Sequence, residues 1–281
     1  MDRAEIAAHS RFRYEYHMEE KSRHVALVTG GLSGIGLHSA LALAGRGVDV
    51  AAVSSRGDSD LYADARKQLA TIAQANGRSL LVLGIDVRDP KGIEEGIDEI
   101  TTRLGPIGIL VNAAGTYHHE LISDHTLDGW LDTISVNLTG PFLTTRACWA
   151  SMLAAGYGRI INIASTAAHL GMQQYSGYCA AKSGLLGLTR VTALEGAPHG
   201  INCNSVSPSW VDTPMMARSL EAQAGQLGVE TAELYEDAIR QNPQGRIISA
   251  EEIAAQVAWL ALDAPPSLTG EDILMTGGAR W

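Results

Sequence analysis

A tyrosine and a lysine lie four positions apart in the segment YCAAK, and this spacing suggests shared chemistry. Residues i and i+4 lie on one face of a helix, so Tyr178 and Lys182 are expected to point the same way. Ser165 ends an apolar segment thirteen residues before the tyrosine. Tyrosine can give a proton to a carbonyl that accepts a hydride, but its ordinary pKa of about 10 is high for exchange at neutral pH. A nearby ammonium would lower that pKa and Ser165 could hold the substrate oxygen; the alternative is a solvated surface pair.

The first apolar segment runs into a glycine-rich turn, TGGLSGIG, which opens a helix-length stretch. Gly30, Gly34 and Gly36 let the backbone approach a pyrophosphate, and the helix start offers free N–H groups and a positive dipole end. A tight turn alone would also explain the glycines. Their position after the first strand of a β-α-β pattern favours a dinucleotide site, and this site argues against a surface role for the tyrosine and the lysine.

The end of the second strand indicates which dinucleotide is preferred. An acidic residue here hydrogen-bonds the ribose of NAD, whereas a basic residue accommodates the phosphate of NADP. Ser54 lies where the acid would be expected, and Arg56 follows after Ser55, so a phosphate gains a cationic partner without repulsion. Asp58 is a rival ribose partner but lies late in the loop. We therefore expect NADP(H) in preference to NAD(H).

Two further strand ends are expected to complete the cofactor site. Asp86, after the third strand, either meets the adenine amino group or caps the next helix. The small residues of NAAG (residues 112–115) would let the cofactor lie flat on the fourth strand end. The predicted cofactor-binding set is Gly30, Ser33, Gly34, Ile35, Gly36, Ser54, Ser55, Arg56, Asp86, Val87, Asn112, Ala113, Gly115, Tyr178, Lys182, Pro208, Val211 and Thr213.

Short apolar segments rich in β-branched residues alternate with helix-length stretches along the chain. They are residues 24–30, 48–54, 79–87, 107–115, 158–165, 201–208 and 271–278. Their nearly continuous apolar character is typical of strands covered on both faces, and the alternation predicts a parallel, doubly wound sheet. The expected fold class is α/β, one domain over residues 24–281 with about seven strands, preceded by an extension of residues 1–23.

Residues 208–250, here called the lid segment, interrupt this alternation. They hold SPSWVDTPMM and two polar amphipathic stretches before SAEEIAAQVAWLAL begins a regular helix, with Ser249 and Glu252 as a capping-box pair. Ligands of doubly wound sheets bind outside the carboxyl ends of the strands, and the segment follows the sixth strand's carboxyl end. We therefore expect a lid over the site, the alternative being an elaborated surface.

Composition and charge exclude several classes of partner. The net charge is −10 with no run of lysine or arginine, which argues against nucleic acid or an anionic membrane surface. No apolar stretch reaches the roughly 18 residues of a membrane span. The charged first 23 residues lack the apolar core of a secretory signal, and the three cysteines form no CxxC motif. We expect reduced thiols and a cytoplasmic protein.

Together, TGGLSGIG, NAAG, SVNLTGPF, Ser165 and YCAAK resemble the motifs of the short-chain dehydrogenase/reductase family, in order and at similar spacing. The resemblance covers the chain from about residue 24 and implies a Rossmann-type sheet, usually in a tetramer. It implies that Tyr178 is the catalytic acid/base and that Ser165 polarises the carbonyl. Lys182 would lower the tyrosine pKa and hold the nicotinamide ribose. Asn137 would anchor a proton-relaying water, and Thr213 would meet the carboxamide.

Two closer resemblances predict different substrates. GLLGLTRVTALEGAPHGINCNSVSPSWVDTPM is similar to 3-hydroxybutyrate dehydrogenases, which hold a small carboxylate with glutamine, histidine and lysine. The matching residues are Tyr117, Ala167 and Tyr175, none of them cationic, so a small hydroxy acid is expected to bind poorly. NIASTAAHLG and the lid segment are similar to polyketide and acyl-chain ketoreductases. With Trp210, the tyrosines would suit a cyclic, aromatic or acyl-chain substrate, unless they only pack the lid segment.

These observations predict an NAD(P)-dependent oxidoreductase that interconverts a ketone and a secondary alcohol, assembled as a homotetramer. The alternatives are a dehydrogenase of a small hydroxy acid and a catalytically silent nicotinamide-binding regulator; the complete set of serine, tyrosine and lysine counts against the regulator. His118, His119 and His169 lie near the site in sequence. No further ligand lies at suitable spacing, so we expect loop or substrate contacts there and no metal.

Overall fold

The computed structural model describes residues 24–57 and 59–279, so the predicted N-terminal extension and Asp58 lie outside the described residues. Within that part of the chain the strands are β1 (Val25–Thr29), β2 (Val50–Ser54), β3 (Leu80–Gly84), β4 (Ile107–Asn112), β5 (Gly158–Ile163), β6 (Ile201–Pro208) and β7 (Asp272–Met275). The α-helices there are α1 (Gly34–Gly45), α2 (Ala63–Ala75), α3 (Pro90–Arg103), α4 (Leu127–Ile134), α5 (Gly140–Ala155), α6 (Ser176–Gly196), α7 (Pro214–Leu227), α8 (Thr231–Gln241) and α9 (Ala250–Leu262).

The strands form one parallel sheet in the order β3-β2-β1-β4-β5-β6-β7. This order confirms the predicted doubly wound α/β class and places a strand at each of the seven apolar segments. The chain winds outward from β1 in both directions, so the strand order reverses between β1 and β4. The carboxyl ends of these two strands therefore border the crevice in which such sheets bind ligands.

The apolar side chains of each strand divide between two cores, because successive residues of a strand point to opposite faces. Val28 packs in the cluster beneath α1 and α9, where Ile253 and Val257 are fully buried. Leu27 packs in the opposite cluster beneath α3 and α5, with Ile100 and Met152. Covering both faces buries nearly every side chain of the central strands, and each fully buried leucine contributes roughly 2 kcal/mol.

Buried polar side chains fasten the centre of the sheet to the helices behind it. Asn112 donates from Nδ2 to Asn162 Oδ1 over 2.9 Å and accepts at Oδ1 from Thr144 over 2.7 Å. Asn162 in turn donates to Thr189 of α6 over 2.9 Å. The side chain of Asn112 is thus committed within the protein, and a contact of Asn112 with the cofactor stays a prediction. Its amide is 2% exposed and is used within this network, which instead supports the strand ends from below.

The lid segment is pinned at its two ends where it leaves and rejoins the sheet. Val211 and Ile248 form an isolated parallel bridge, in which the amide of Asp212 donates to Ile248 O over 2.9 Å. α7 and α8 pack on each other through a small apolar cluster of their own that includes Met216 and Leu220. The predicted capping box of Ser249 and Glu252 is confirmed at the start of α9. Among the residues described, no helix is long and apolar enough to cross a membrane.

Candidate active site

A cavity of about 970 Å³ opens along the carboxyl ends of the strands. Most of the predicted site residues line it: Gly30, Ser33, Gly34, Ile35, Ser54, Ser55, Asp86, Val87, Ala113, Gly115, Tyr117, Ser165, Tyr175, Tyr178, Lys182, Pro208, Trp210, Val211 and Thr213. The predicted residues that lie outside the lining are Gly36, Arg56, Asn112, Asn137 and Ala167. Residues distant in sequence are thus brought to one rim of the sheet.

The glycine-rich turn has the backbone shape that a pyrophosphate site requires. Gly30 has φ 64°, and a Cβ there would lie 2.9 Å from the Ala114 backbone. A Cβ on Gly36 would lie 2.3 Å from the carbonyl oxygen of Gly30, so Gly36 shapes the turn without lining the cavity. The side chain of Ser33 makes no capping hydrogen bond to α1, and the first turn of this helix carries no acidic residue. Free N–H groups and the positive end of the helix dipole therefore suit a phosphate, and the turn fits a dinucleotide.

The end of β2 presents hydroxyls to the cavity. Ser54 is half-buried and Ser55 is exposed, and both belong to the lining. Arg56 is exposed and lies outside the lining, and its contact with the cofactor stays a prediction. Ser54 occupies the position at which NAD-binding proteins carry a carboxylate, and the rival Asp58 lies outside the described residues.

The end of β3 carries an ion-pair chain that the sequence analysis did not anticipate. The carboxylate of Asp86 accepts from the Arg88 backbone amide over 2.9 Å and from Arg88 Nη2 over 2.6 Å. Arg88 also donates from Nη1 to Asp132 over 2.7 Å. The hydrogen bonds from Arg88 lower the pKa of Asp86, so its carboxylate stays charged and oriented. The helix-capping alternative for Asp86 is wrong, because Asp89 caps α3.

Tyr178 and Lys182 lie in the first two turns of α6, on the face directed at the cavity. Lys182 is only 4% exposed, and its Nζ donates to the carbonyl oxygen of Ile163 over 2.7 Å. The same nitrogen lies 5.5 Å from the centre of the Tyr178 ring. Ser165 begins the turn after β5, where its Oγ accepts from the amide of Ala167 over 3.1 Å. The surface-pair alternative is therefore wrong, since the lysine is buried.

The pKa values of this group depart from the simplest expectation. Burial raises the pKa of Tyr178 to about 12, and the Ser165 hydroxyl opposes the shift by favouring the phenolate. Burial lowers the pKa of Lys182 to about 8. The expected lowering of the tyrosine pKa by the lysine does not dominate in the described residues, because desolvation disfavours both charged forms. Tyr178 is accordingly held as a protonated phenol at neutral pH, the form that can donate.

Asn137 lies in a π-helical turn, Ser135–Thr139, inserted between α4 and α5. Its side chain is fully buried and donates to Thr116 O over 2.7 Å and to Thr133 O over 2.8 Å. The side-chain amide is therefore used to hold the loop after β4 against α4. The predicted water-anchoring role stays a prediction, and these contacts show that the Asn137 amide N–H groups do not supply it.

Two of the four predicted substrate residues differ from expectation. Ala167 is fully buried in a short turn after Ser165, so it cannot touch a ligand in the cavity. Tyr175 lines the cavity but is only 6% exposed, and its hydroxyl lies 2.7 Å from Ser219 Oγ on α7. Tyr117 and Trp210 belong to the lining as expected.

The three histidines near the site have protein partners. His118 Nε2 lies 3.1 Å from Asp132, and His169 Nε2 lies 2.6 Å from Asp272. His119 packs its ring edge-on against Tyr175 at 4.8 Å between ring centres. No group of three or more His, Cys, Asp or Glu side chains that could hold a metal ion occurs in the described part of the chain.

The lid segment contributes residues that the sequence analysis missed. Met215, Met216 and Arg218 of α7 line the cavity beside Ser219. Arg218 is exposed and, among the described residues, has no ion-pair partner. The sequence PMMARS held the only available signal, a helical spacing that places Met215 and Arg218 three residues apart and so on one face.

This arrangement is suited to moving a proton onto or off a substrate oxygen at the carboxyl rim of the sheet. A nicotinamide dinucleotide held on the glycine turn would supply or accept the hydride. The glycine turn would hold the pyrophosphate, and the protein places the phenol of Tyr178 beside Ser165 at the cavity. The Ser165 hydroxyl could then hydrogen-bond the same substrate oxygen that receives the proton from Tyr178, as general acid catalysis requires.

Comparison with known proteins agrees with this geometry. The family model described as enoyl-(acyl carrier protein) reductase matches residues 30–280. D-beta-hydroxybutyrate dehydrogenase of Cupriavidus necator is 38% identical over 90% of this chain and 96% of its own length. A putative ketoacyl reductase of Streptomyces coelicolor is 35% identical over 93% of this chain and 98% of its own length.

Solved structures superpose equally well. An actinorhodin polyketide ketoreductase with NADPH has a TM-score of 0.84 and 33% identity, covering 92% of this chain and 97% of its own. Levodione reductase has a TM-score of 0.84 and 30% identity, covering 91% of this chain and 97% of its own. The chain belongs to the short-chain dehydrogenase/reductase family. It is an oxidoreductase of alcohol and ketone substrates in the EC 1.1.1 class, with a nicotinamide cofactor expected.

Proposed function

We propose that this protein is an NADP(H)-dependent ketoreductase that interconverts a bulky ketone and a secondary alcohol, with Tyr178 as the acid/base. The observation that carries the proposal is the convergence of Tyr178, Lys182 and Ser165 on the cavity that begins at the glycine turn. Tyr178 gives its proton to the substrate oxygen during reduction, and Ser165 orients that oxygen. Lys182 holds the nicotinamide ribose and stabilises the phenolate that remains.

The preference for NADP(H) is supported by the hydroxyls at the end of β2. Ser54 and Ser55 present donors instead of a carboxylate, so a 2′-phosphate meets no negative charge there. Arg56 lies one residue further, on an exposed loop, where its cation is within the same turn as these hydroxyls. The actinorhodin polyketide ketoreductase, whose structure was solved with NADPH, supports the same preference.

The preference for a large substrate is supported by the lining of the cavity near Tyr178. Tyr117, Trp210, Met215 and Met216 offer apolar and aromatic surface. Burying the apolar surface of a ring contributes roughly 25 cal/mol per Å². A small carboxylate would gain less from these side chains and would lose hydration of its charge. We infer a cyclic, aromatic or acyl-chain ketone.

A dehydrogenase of a small hydroxy acid is the second candidate, and one observation favours it. Arg218 supplies a cation to the lining that the sequence comparison of Tyr117, Ala167 and Tyr175 did not reveal. The hydroxybutyrate dehydrogenase of Cupriavidus necator is also 38% identical. Arg218 is exposed, however, so water screens its attraction for a carboxylate.

The deciding experiment compares two substrates with saturating NADPH. We expect kcat/KM for a cyclic or aromatic ketone to exceed that for acetoacetate at least about tenfold, or about 1.4 kcal/mol of transition-state binding. The opposite order, abolished by Arg218→Met, would establish the hydroxy-acid alternative. Absence of turnover across a ketone panel, with cofactor binding intact, would favour the catalytically silent regulator.

We also propose that the protein assembles as a homotetramer. Val191 and Leu194 on α6 are 51% and 76% exposed, and Trp259 on α9 is 40% exposed. Such large apolar side chains on two separate helices are typical of surfaces that pair with other copies. Sedimentation equilibrium should give four times the chain mass of 29.8 kDa, and a monomer would contradict the proposal.

A further inference from the structure

A buried hydroxyl fastens the lid segment to the body of the protein. Tyr175 Oη lies 2.7 Å from Ser219 Oγ, and Gln223 Nε2 donates over 3.1 Å to each of these two oxygens. Tyr175 is 6% exposed and Ser219 5% exposed, so water cannot readily replace these partners. The three side chains form a closed triangle between the start of α6 and the middle of α7, and losing one member leaves a buried polar group short of a partner.

The ring of Tyr175 also touches the proposed proton donor. It packs edge-on against Tyr178 at 6.3 Å between ring centres, and it lies 5.7 Å from the ring of Tyr117. His119 packs on its other side at 4.8 Å. One side chain therefore contacts the catalytic helix, the loop after β4 and the lid segment.

The backbone before Tyr175 holds an unfavourable conformation that fixes its direction. Gln174 has φ 70°, and it is the one non-glycine residue with positive φ among those described. Its carbonyl oxygen accepts from the amide of Glu120 over 3.0 Å, which ties the residue to the loop after β4. Such conformations persist only where the surrounding structure determines them, and they cluster at sites of function.

We propose that Tyr175 is a positioning residue whose hydroxyl latches α7 closed over the cavity, and not a residue that grips the substrate. This inference rests on the proposed function for its kinetic consequence. Substrate enters when α7 releases Ser219 and Gln223 from Tyr175, and reclosure brings Met215 and Met216 back over the cavity. Because the ring of Tyr175 stays on Tyr178 in both states, opening the lid segment leaves the proton donor in place.

The kinetic consequence follows from the closed fraction of the free enzyme. A hydrogen bond lost from a buried pair typically lowers an equilibrium constant by about threefold to tenfold. Tyr175→Phe removes the hydroxyl and keeps the ring, so fewer molecules are closed before substrate binds and KM rises, by no more than that factor. Saturating substrate restores closure, so kcat changes by less than about twofold.

The test uses Tyr175→Phe and Ser219→Ala, with Tyr235→Phe as the matched control. Tyr235 lies on α8 of the same lid segment, and its hydroxyl has no hydrogen-bond partner within the described residues. Steady-state kinetics with a cyclic ketone give KM and kcat. Hydrogen–deuterium exchange of residues 214–227 in the substrate-free protein measures opening without reference to activity. Both latch variants should speed this exchange about threefold to tenfold and should raise KM by no more than that factor, while the control changes neither.

Three outcomes separate the possibilities. An unchanged KM together with parental exchange in α7 would overturn the latch. Equal acceleration by Tyr235→Phe would also overturn it, because loosening would then reflect general packing. If α7 exchanges faster in both latch variants and no ketone is reduced by the parent, the latch stands and the proposed function fails.

Discussion

Replacing Lys182 by methionine should remove a pH dependence from the stability of this protein. Lys182 is 4% exposed, and burial lowers its pKa from 10.5 to about 8. The unfolded chain therefore binds more protons than the folded chain between these values, and stability rises with pH across that window. Burying the ammonium lowers the free energy of unfolding by its whole amount below about pH 8. This cost decreases as the pH approaches the pKa of the lysine in the unfolded chain.

The magnitude follows from the two pKa values. A difference of about 2.5 at about 1.36 kcal/mol per pKa unit is a cost of about 3 kcal/mol at neutral pH. Roughly 2.5 kcal/mol of this cost is recovered between about pH 7 and about pH 10. Lys182→Met also loses the hydrogen bond to Ile163 O, but that loss does not vary with pH. The difference in unfolding free energy between parent and variant therefore changes with pH only through the charge of Lys182.

Thermal or urea unfolding at a series of pH values measures this difference. Between about pH 7 and about pH 10, the free energy of unfolding of the parent should rise by about 2.5 kcal/mol relative to that of the variant. This change is equivalent to about 4 °C in the unfolding midpoint for a chain of this length. Lys67→Met, on the exposed face of α2, is the control, and its unfolding free energy should change with pH in the same way as that of the parent. Parallel curves for Lys182→Met would refute the reasoning, and a relative loss of parental stability with rising pH would indicate a buried anion beside the lysine.

Three further predictions concern the site. Tyr178→Phe should lower kcat at least about a hundredfold while NADPH binding, measured by fluorescence titration, stays within about threefold, because general acid catalysis contributes typically 10²–10⁴-fold. Retention of a tenth of the parental kcat would remove Tyr178 from the role. Ser54→Asp should reverse a preference for NADPH over NADH, since a carboxylate binds ribose and repels the 2′-phosphate; a parent that already prefers NADH would contradict this. Gly36→Ala should abolish cofactor binding, because its Cβ would lie 2.3 Å from a backbone oxygen, whereas Gly187→Ala, with nothing within 4 Å, should be neutral or stabilise α6 by about 1 kcal/mol.

Local sequence rules determined the fold class and the reactive centre. Apolar runs long enough to be covered on both faces required a parallel sheet, and the alternation with helices set its connections. The i, i+4 spacing of Tyr178 and Lys182 placed both on one helix face, and Gly30 and Gly36 of TGGLSGIG marked a turn where a side chain would collide with backbone. Ser249 and Glu252 likewise predicted the start of α9, because a capping box forms between residues close in sequence.

Only the tertiary structure decided which polar groups face the cavity and which are used inside the protein. Asn112 is the last residue of β4, but Thr144 and Asn162, more than thirty residues away in sequence, bond to both ends of its side-chain amide. Tyr175 aligned with a substrate-gripping position, yet its hydroxyl is held by Ser219 of the lid segment. Such partners meet through long-range packing, so no local pattern records them.

The tertiary structure also decided the electrostatics. The sequence placed an ammonium beside a phenol and so predicted a lowered tyrosine pKa, whereas burial of both groups raises the pKa of Tyr178 to about 12 and lowers that of Lys182 to about 8. Desolvation depends on everything that packs around a group, and a spacing of four residues carries no information about it. The sequence by itself determined which residues meet on α6, and the surrounding fold decided in which protonation state they meet.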